Sequence, residues 1–101
     1  NMKRHEYFVY ILTNYNKTVL YIGITNDLIR RLFEHSEKFN PDGFSAKYKC
    51  KFLLHWESYQ YVREAISREK EIKKWRREKK DKLITSMNPV WEDLWREIET
   101  W

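Results

Sequence analysis

Tyr7-Phe8-Val9-Tyr10-Ile11-Leu12-Thr13, then Asn14-Tyr15-Asn16-Lys17, then Val19-Leu20-Tyr21-Ile22-Gly23-Ile24 decide how this chain folds. Two runs of apolar, β-branched and aromatic residues flank a segment of turn formers, which is the pattern of a β-hairpin. Tyr7 to Leu12 is continuously apolar, as expected of a central strand covered on both faces. With Asn14 to Lys17 as the loop, Thr13 faces Thr18 and Tyr10 faces Tyr21. Directly opposed residues of an antiparallel pair project to one face of the sheet. Two phenols are therefore expected side by side, with Gly23 leaving space next to Tyr21. Taken by themselves, these residues also fit two core tyrosines in an ordinary hairpin.

Working outward, Thr25-Asn26-Asp27 offers helix caps, and a helix is expected from Asp27 to about Lys38 with Leu28, Ile29, Leu32 and Phe33 as its apolar stripe. Asn40-Pro41-Asp42-Gly43 reads as a loop. Lys51 to Glu57 alternates, Phe52, Leu54 and Trp56 against Leu53, His55 and Glu57, as a third strand should. A long helix follows from Tyr61 to about Trp75, a shorter one from Glu78 to Ser86, and, after the break at Met87-Asn88-Pro89, a terminal helix from Trp91 to Ile98. The tryptophans at 91, 95 and 101 are read as cover for the core. Repeats, low-complexity segments and linkers are absent from the sequence. The expected architecture is α+β: a small antiparallel three-stranded sheet flanked by helices. Asn1 ahead of Met2 is expected to be a cloning remnant, with residues 2–101 forming one domain.

The chain has 101 residues and a net charge of +5. From Tyr61 to Lys82 there are ten Lys/Arg against five Asp/Glu, so this segment carries the whole excess. Such a segment suits a polyanion such as DNA or RNA, although a solvated helix face is the commoner origin of a charge run. Cys50 is the single cysteine, which excludes an internal disulfide and a cysteine zinc site and fits a reducing cytoplasm. No apolar run approaches the roughly 20 residues of a membrane span. Walker, HExxH and Ser/His/Asp signatures are absent, and His5 and His55 lack a second ligand at motif spacing.

Arg31 and His35 lie four apart, on one face of the first helix. Glu69 is more informative. On a helical wheel Val62, Ala65, Ile66 and Ile72 fall within roughly 60° of it, so it stands in the stripe that should face the sheet. A carboxylate there must be paired, protonated or bound to a cation. A salt bridge to Arg31 is one solution; a hard divalent ion such as Mg2+ is the other.

The constellation resembles the GIY-YIG nuclease superfamily. Phe8-Val9-Tyr10 stands at the first motif, keeping its tyrosine, and Tyr21-Ile22-Gly23 matches the second. Arg31, His35 and Glu69 match the helix arginine, the His or Tyr one turn later, and the metal-binding glutamate. Asn88 is a counterpart of the family's late asparagine. The first motif lacks its glycine, and Ile24 stands where some members carry lysine. The resemblance covers nearly the whole chain and is nearest to small bacterial members related to the catalytic domain of the excision-repair nuclease subunit. It implies a divalent-metal endonuclease acting on DNA, in repair or recombination, with Tyr10, Tyr21, Arg31, His35 and Glu69 as catalytic residues and Mg2+ or Mn2+ held by Glu69. In that scheme Tyr10 is the base with His35 as its relay, and Tyr21 positions water or phosphate. Branched or damaged DNA is the implied partner, with no membrane and with sequence targeting either weak or supplied by another protein.

Arg68, Lys73, Arg76, Arg77 and Lys80 are expected to meet DNA phosphates rather than bases. A non-catalytic nucleic-acid-binding module on the same fold is the rival reading; it needs the basic segment and no metal.

Overall fold

The computed structural model describes residues 6–36 and 49–101. Over these the chain forms Tyr7–Thr13 (β1), Leu20–Thr25 (β2), Leu28–Ser36 (α1), Phe52–Tyr59 (β3), Val62–Lys74 (α2), Arg77–Met87 (α3) and Trp95–Ile98 (α4). The sheet is antiparallel, in the order β2-β1-β3. This is the α+β arrangement expected from the sequence. The expected end of the first helix at Lys38 and the Asn40 to Gly43 loop lie outside the described residues. No helix among the described residues is long and apolar enough to cross a membrane.

β1 and β2 pair in a register two residues away from the simplest one: Thr13 stands opposite Leu20, Leu12 opposite Tyr21, and Tyr10 opposite Gly23. The cause is Asn14. Its carbonyl accepts the Lys17 N–H at 3.0 Å and closes the expected turn. Its side-chain Oδ1 then accepts the N–H groups of Thr18 at 2.8 Å and Val19 at 3.1 Å, while its Nδ2 donates to Thr18 Oγ1 at 2.7 Å. Those N–H groups are withdrawn from the ladder, which starts at Leu20. A shift of two preserves parity, so Tyr10 and Tyr21 still share a face, now as diagonal neighbours.

β1 feeds two cores alternately. Phe8, Tyr10 and Leu12 join Leu28 and Leu32 of α1 with Leu94 and Ile98 of the tail. Val9 and Ile11 join Ala65 and Ile72 of α2 and Ile84 of α3. Each aliphatic side chain fully removed from water there contributes about 2 kcal/mol.

The strict alternation expected of β3 fails at one point. Ile11 pairs with His55 but Leu12 pairs with Leu53, leaving Leu54 as the extra residue of a β-bulge. Leu53 and Trp56 therefore serve the α1 core and Leu54 the α2 core.

The terminal helix is shorter than expected, because residues 91–94 are held outside it, the first two by Asn88 and the last two by the edge of β3. Leu94 donates to the Leu53 carbonyl at 2.8 Å, and the Asp93 carboxylate accepts the N–H groups of Leu53 and Trp95, both at 3.1 Å. The buried Asn88 amide donates to the carbonyls of Leu54 (3.1 Å) and Glu92 (2.8 Å) and accepts the Glu92 N–H at 3.1 Å. Trp91 and Trp95 pack on the two cores, and Trp101 lies 5.7 Å from Phe8 and 5.0 Å from Trp56 between ring centroids.

Candidate active site

Tyr10 and Tyr21 reach the same face from neighbouring strands, their ring centroids 6.2 Å apart and their planes at 40°. Gly23 makes this possible. A Cβ there would overlap the Tyr10 ring and hydroxyl, so the phenol lies over a position that only glycine leaves open. The role of this glycine is space, since its φ is not positive.

Arg31 comes from α1, which packs on the Tyr10 face. Asp27 fixes where that helix starts: its carboxylate accepts the Arg30 N–H at 3.2 Å, and its carbonyl the Arg31 N–H at 3.0 Å. Thr25 Oγ1 in turn accepts the Asp27 N–H at 3.1 Å. The start of α1 sets which residues enter the core and hence where Arg31 projects. Its guanidinium is exposed and lies 3.4 Å from Glu34. His35 lies in α1 one turn beyond Arg31; its side chain is outside the described set.

Glu69 comes from α2. The buried residues of that helix are Ala65 and Ile72, whereas Val62 and Ile66 are exposed. The apolar stripe is thus narrower than the sequence pattern suggested. Glu69 borders it, with 16% of its side chain exposed, and its partner is Lys73 at 3.2 Å rather than Arg31.

The Tyr10 hydroxyl gathers these groups electrostatically. Burial is the main cause that pushes its pKa well above the ordinary phenol value, and the neighbouring Tyr21 adds to it through charge and a hydrogen bond. Arg31 pulls the value down and Glu69 raises it slightly. Burial and Tyr21 thus oppose ionisation of Tyr10, so the base role expected of it requires Arg31 or a bound cation to stabilise the phenolate.

Among the described residues no group of three or more His, Cys, Asp or Glu side chains is arranged to hold a metal ion. The lone Glu69 carboxylate does not fit a caged ion such as structural zinc. It does fit Mg2+ or Mn2+, which take one or two carboxylates and complete their shell with waters and substrate phosphate.

The residues expected to contact phosphates are variously engaged. Arg77 donates to the carbonyls of Lys17 and Thr18, both at 2.9 Å, and to Asp81 at 2.8 Å, so it ties α3 to the β1–β2 turn. Lys73 is shared with Glu69. Arg76 is exposed and Lys80 half-buried. Arg68 is half-buried and fully engaged by carboxylates: its Nε and Nη2 donate to the two oxygens of Glu57 at 2.9 and 3.1 Å, and Nη1 donates to Glu71 at 2.7 Å.

That last contact belongs to a cluster sequence reasoning missed. Glu57 also accepts the Tyr59 hydroxyl at 2.6 Å and meets His55 Nε2 at 2.7 Å. Burial would raise the Glu57 carboxyl, but the hydrogen bonds from His55, Arg68 and Tyr59 outweigh it and hold the pKa at about 2. Tyr59 is pushed up to about 12 by burial and by its bond to that carboxylate. The available signal was spacing: His55, Glu57 and Tyr59 alternate along one strand and so share a face. Cys50 takes no part; burial pushes its thiol up to about 11.

The GIY-YIG catalytic domain matches residues 6–82, from the start of the sheet into α3, which places the molecule in the nuclease superfamily of that name. A UPF0213 protein of Bacillus pumilus is 36% identical over 86 residues, covering 85% of this chain and 86% of that protein. A second, from Bacillus velezensis, is 38% identical over 87 residues, covering 82% of each. The solution NMR structure of a UPF0213 protein from Bacillus halodurans superposes with a TM-score of 0.57 at 25% identity, over 87% of this chain and 92% of that one. The chain belongs to the GIY-YIG family, in its small UPF0213 branch.

Proposed function

We propose that this protein is an endonuclease that hydrolyses DNA phosphodiester bonds with one divalent cation, Mg2+ or Mn2+, bound at Glu69. The observation that carries the reading is the pairing of Tyr10 and Tyr21 on one face over Gly23, with Arg31 of α1 and Glu69 of α2 within electrostatic reach of the Tyr10 phenol. Bound there, the cation would polarise the scissile phosphate and stabilise the leaving oxygen. Arg31 neutralises charge that develops on the phosphoryl oxygens, where a planar guanidinium can grip two of them. Tyr10 takes the proton of the attacking water, its phenolate stabilised by Arg31 and the bound cation, and the half-exposed Tyr21 hydroxyl positions that water. His35, one turn from Arg31, is assigned to proton relay. Arg76 and Lys80 hold the DNA backbone. The acting unit is the span 2–101, because Leu94 and Ile98, beyond the family match, pack in the core that holds Tyr10. Branched or damaged DNA in cytoplasmic repair or recombination, with a protein partner for targeting, completes the proposal.

Supercoiled plasmid incubated with Mg2+ or Mn2+ tests it. Nicking that EDTA abolishes, and that Glu69→Ala and Arg31→Ala each lower by at least a hundredfold, is the expected result. Nicking unchanged in Glu69→Ala would remove the assignment. DNA binding indifferent to EDTA, with no cleavage of plasmid, nicked or branched DNA, would favour the non-catalytic module.

A further inference from the structure

Arg68 and Glu69 are consecutive, yet they face opposite sides of the buried line through Ala65 and Ile72. Successive helical residues are about 100° apart, so a helix seated on that line sends one to each flank. Arg68 goes to β3, where Glu57 takes it in a two-point grip. Glu69 goes to the Tyr10 side.

We propose that Arg68 is a positioning residue for Glu69: its clamp on Glu57 sets the rotation of α2 about its axis and so fixes where the Glu69 carboxylate stands relative to Tyr10. The role of Glu69 itself rests on the reading above. The apolar seat cannot fix this rotation unaided. Ala65 presents one methyl group and Ile72 a smooth aliphatic surface, and the flanking Val62 and Ile66 are exposed. A side-chain carboxylate lies about 6 Å from the helix axis, so a roll of 10° moves it by about 1 Å. Functional constellations tolerate about 0.5 Å. The clamp is built to resist such a roll. Its acceptor sits on β3, at Glu57 paired with Val9, next in sequence to Tyr10, and is itself held by Tyr59 and His55. The guanidinium lies 5.1 Å from the ring centroid of Trp75, at the end of the same helix. A lysine keeps the charge but supplies neither the fork nor the planar face.

The test is Arg68→Lys in the full chain, with Glu57→Gln as a second variant that reaches the same clamp from the other partner. With 13C-labelled protein, well below the unfolding temperature, the Glu69 carboxylate and the Tyr10 and Tyr21 ring resonances are expected to shift in either folded variant. In parallel, Mn2+ affinity is expected to fall about tenfold, within the range seen when groups behind a metal ligand are changed. Those three residues resonating as in the wild type would overturn the proposal, whatever the effect on stability. Wild-type Mn2+ binding that survives Glu69→Ala would instead defeat the functional reading, while the resonances still decide whether Arg68 places Glu69.

Discussion

Tyr10 and Gly23 face each other across the β1–β2 ladder, and the phenol of one occupies the space where a side chain of the other would begin. The glycine of the second motif is thus explained by its neighbour's ring. Gly23→Ala should destabilise the fold by about 1–3 kcal/mol, the usual cost of overpacking, and should displace the Tyr10 hydroxyl. In a Tyr10→Ala background the same substitution should cost almost nothing. Urea denaturation of the four proteins in this cycle measures the coupling. An equal penalty in both backgrounds would show that the ring does not cause it.

Acid should loosen the β3–α2 junction. Glu57 stays ionised in the fold down to about 2, against an ordinary value of 4.5. The unfolded chain binds the proton first, so this stabilisation is complete above about pH 4.5 and fades as pH falls toward 2. Glu57→Gln should cost on the order of 2 kcal/mol at neutral pH. The gap between wild type and variant should close across that window. A gap constant from pH 6 to pH 2.5 would contradict the assignment.

The basic residues should divide by what they already hold. Arg76→Glu with Lys80→Glu should weaken binding to all DNA sequences alike and flatten its salt dependence, with turnover at saturating DNA nearly unchanged. Arg77→Ala should instead lower stability by about 1–2 kcal/mol, because its bonds run to Lys17, Thr18 and Asp81. Fluorescence anisotropy against salt, paired with thermal melts, separates the two behaviours.

Asn88 is fully employed as a bracket between β3 and the tail. Asn88→Ala leaves the Leu54 carbonyl and the Glu92 N–H without their partner and should cost roughly 2–3 kcal/mol. Asn88→Asp should be similarly harmful, since a carboxylate cannot donate to Leu54. Chemical denaturation followed by tryptophan fluorescence reads both. A loss below about 0.5 kcal/mol in either would deny the bracket.

The fold was legible where pattern and local chemistry agree: the apolar run of β1, the cap at Asp27, and the start and end of α2. Three features were not, and in the first two a side chain competes with the backbone. Asn14 takes two N–H groups and moves the hairpin register. Asp93 and Asn88 hold the tail extended where its composition suggests helix. The bulge at Leu54 interrupts an alternation that looks regular in the sequence. The candidate site was read from Tyr10, Tyr21, Arg31 and Glu69, whose spacing carries the family pattern. The bond of Arg68 to Glu57 was not legible, because that partner is eleven residues away on another element.

The outer edge of β3 is capped near its start by Asp93, Leu94 and Asn88, which take the backbone groups of Leu53 and Leu54. An open strand edge is a template for further strands. The last residues therefore govern the company this molecule keeps in solution. A chain cut after Pro89 would expose the Leu53 N–H and carbonyl together with the hydrophobic ring of Trp56. Copies would then add edge to edge through β3, on the flank of the sheet opposite Tyr21. Light scattering would register that growth as a rising mass, and Asp93→Ala, which frees the N–H groups of Leu53 and Trp95, would mark its onset.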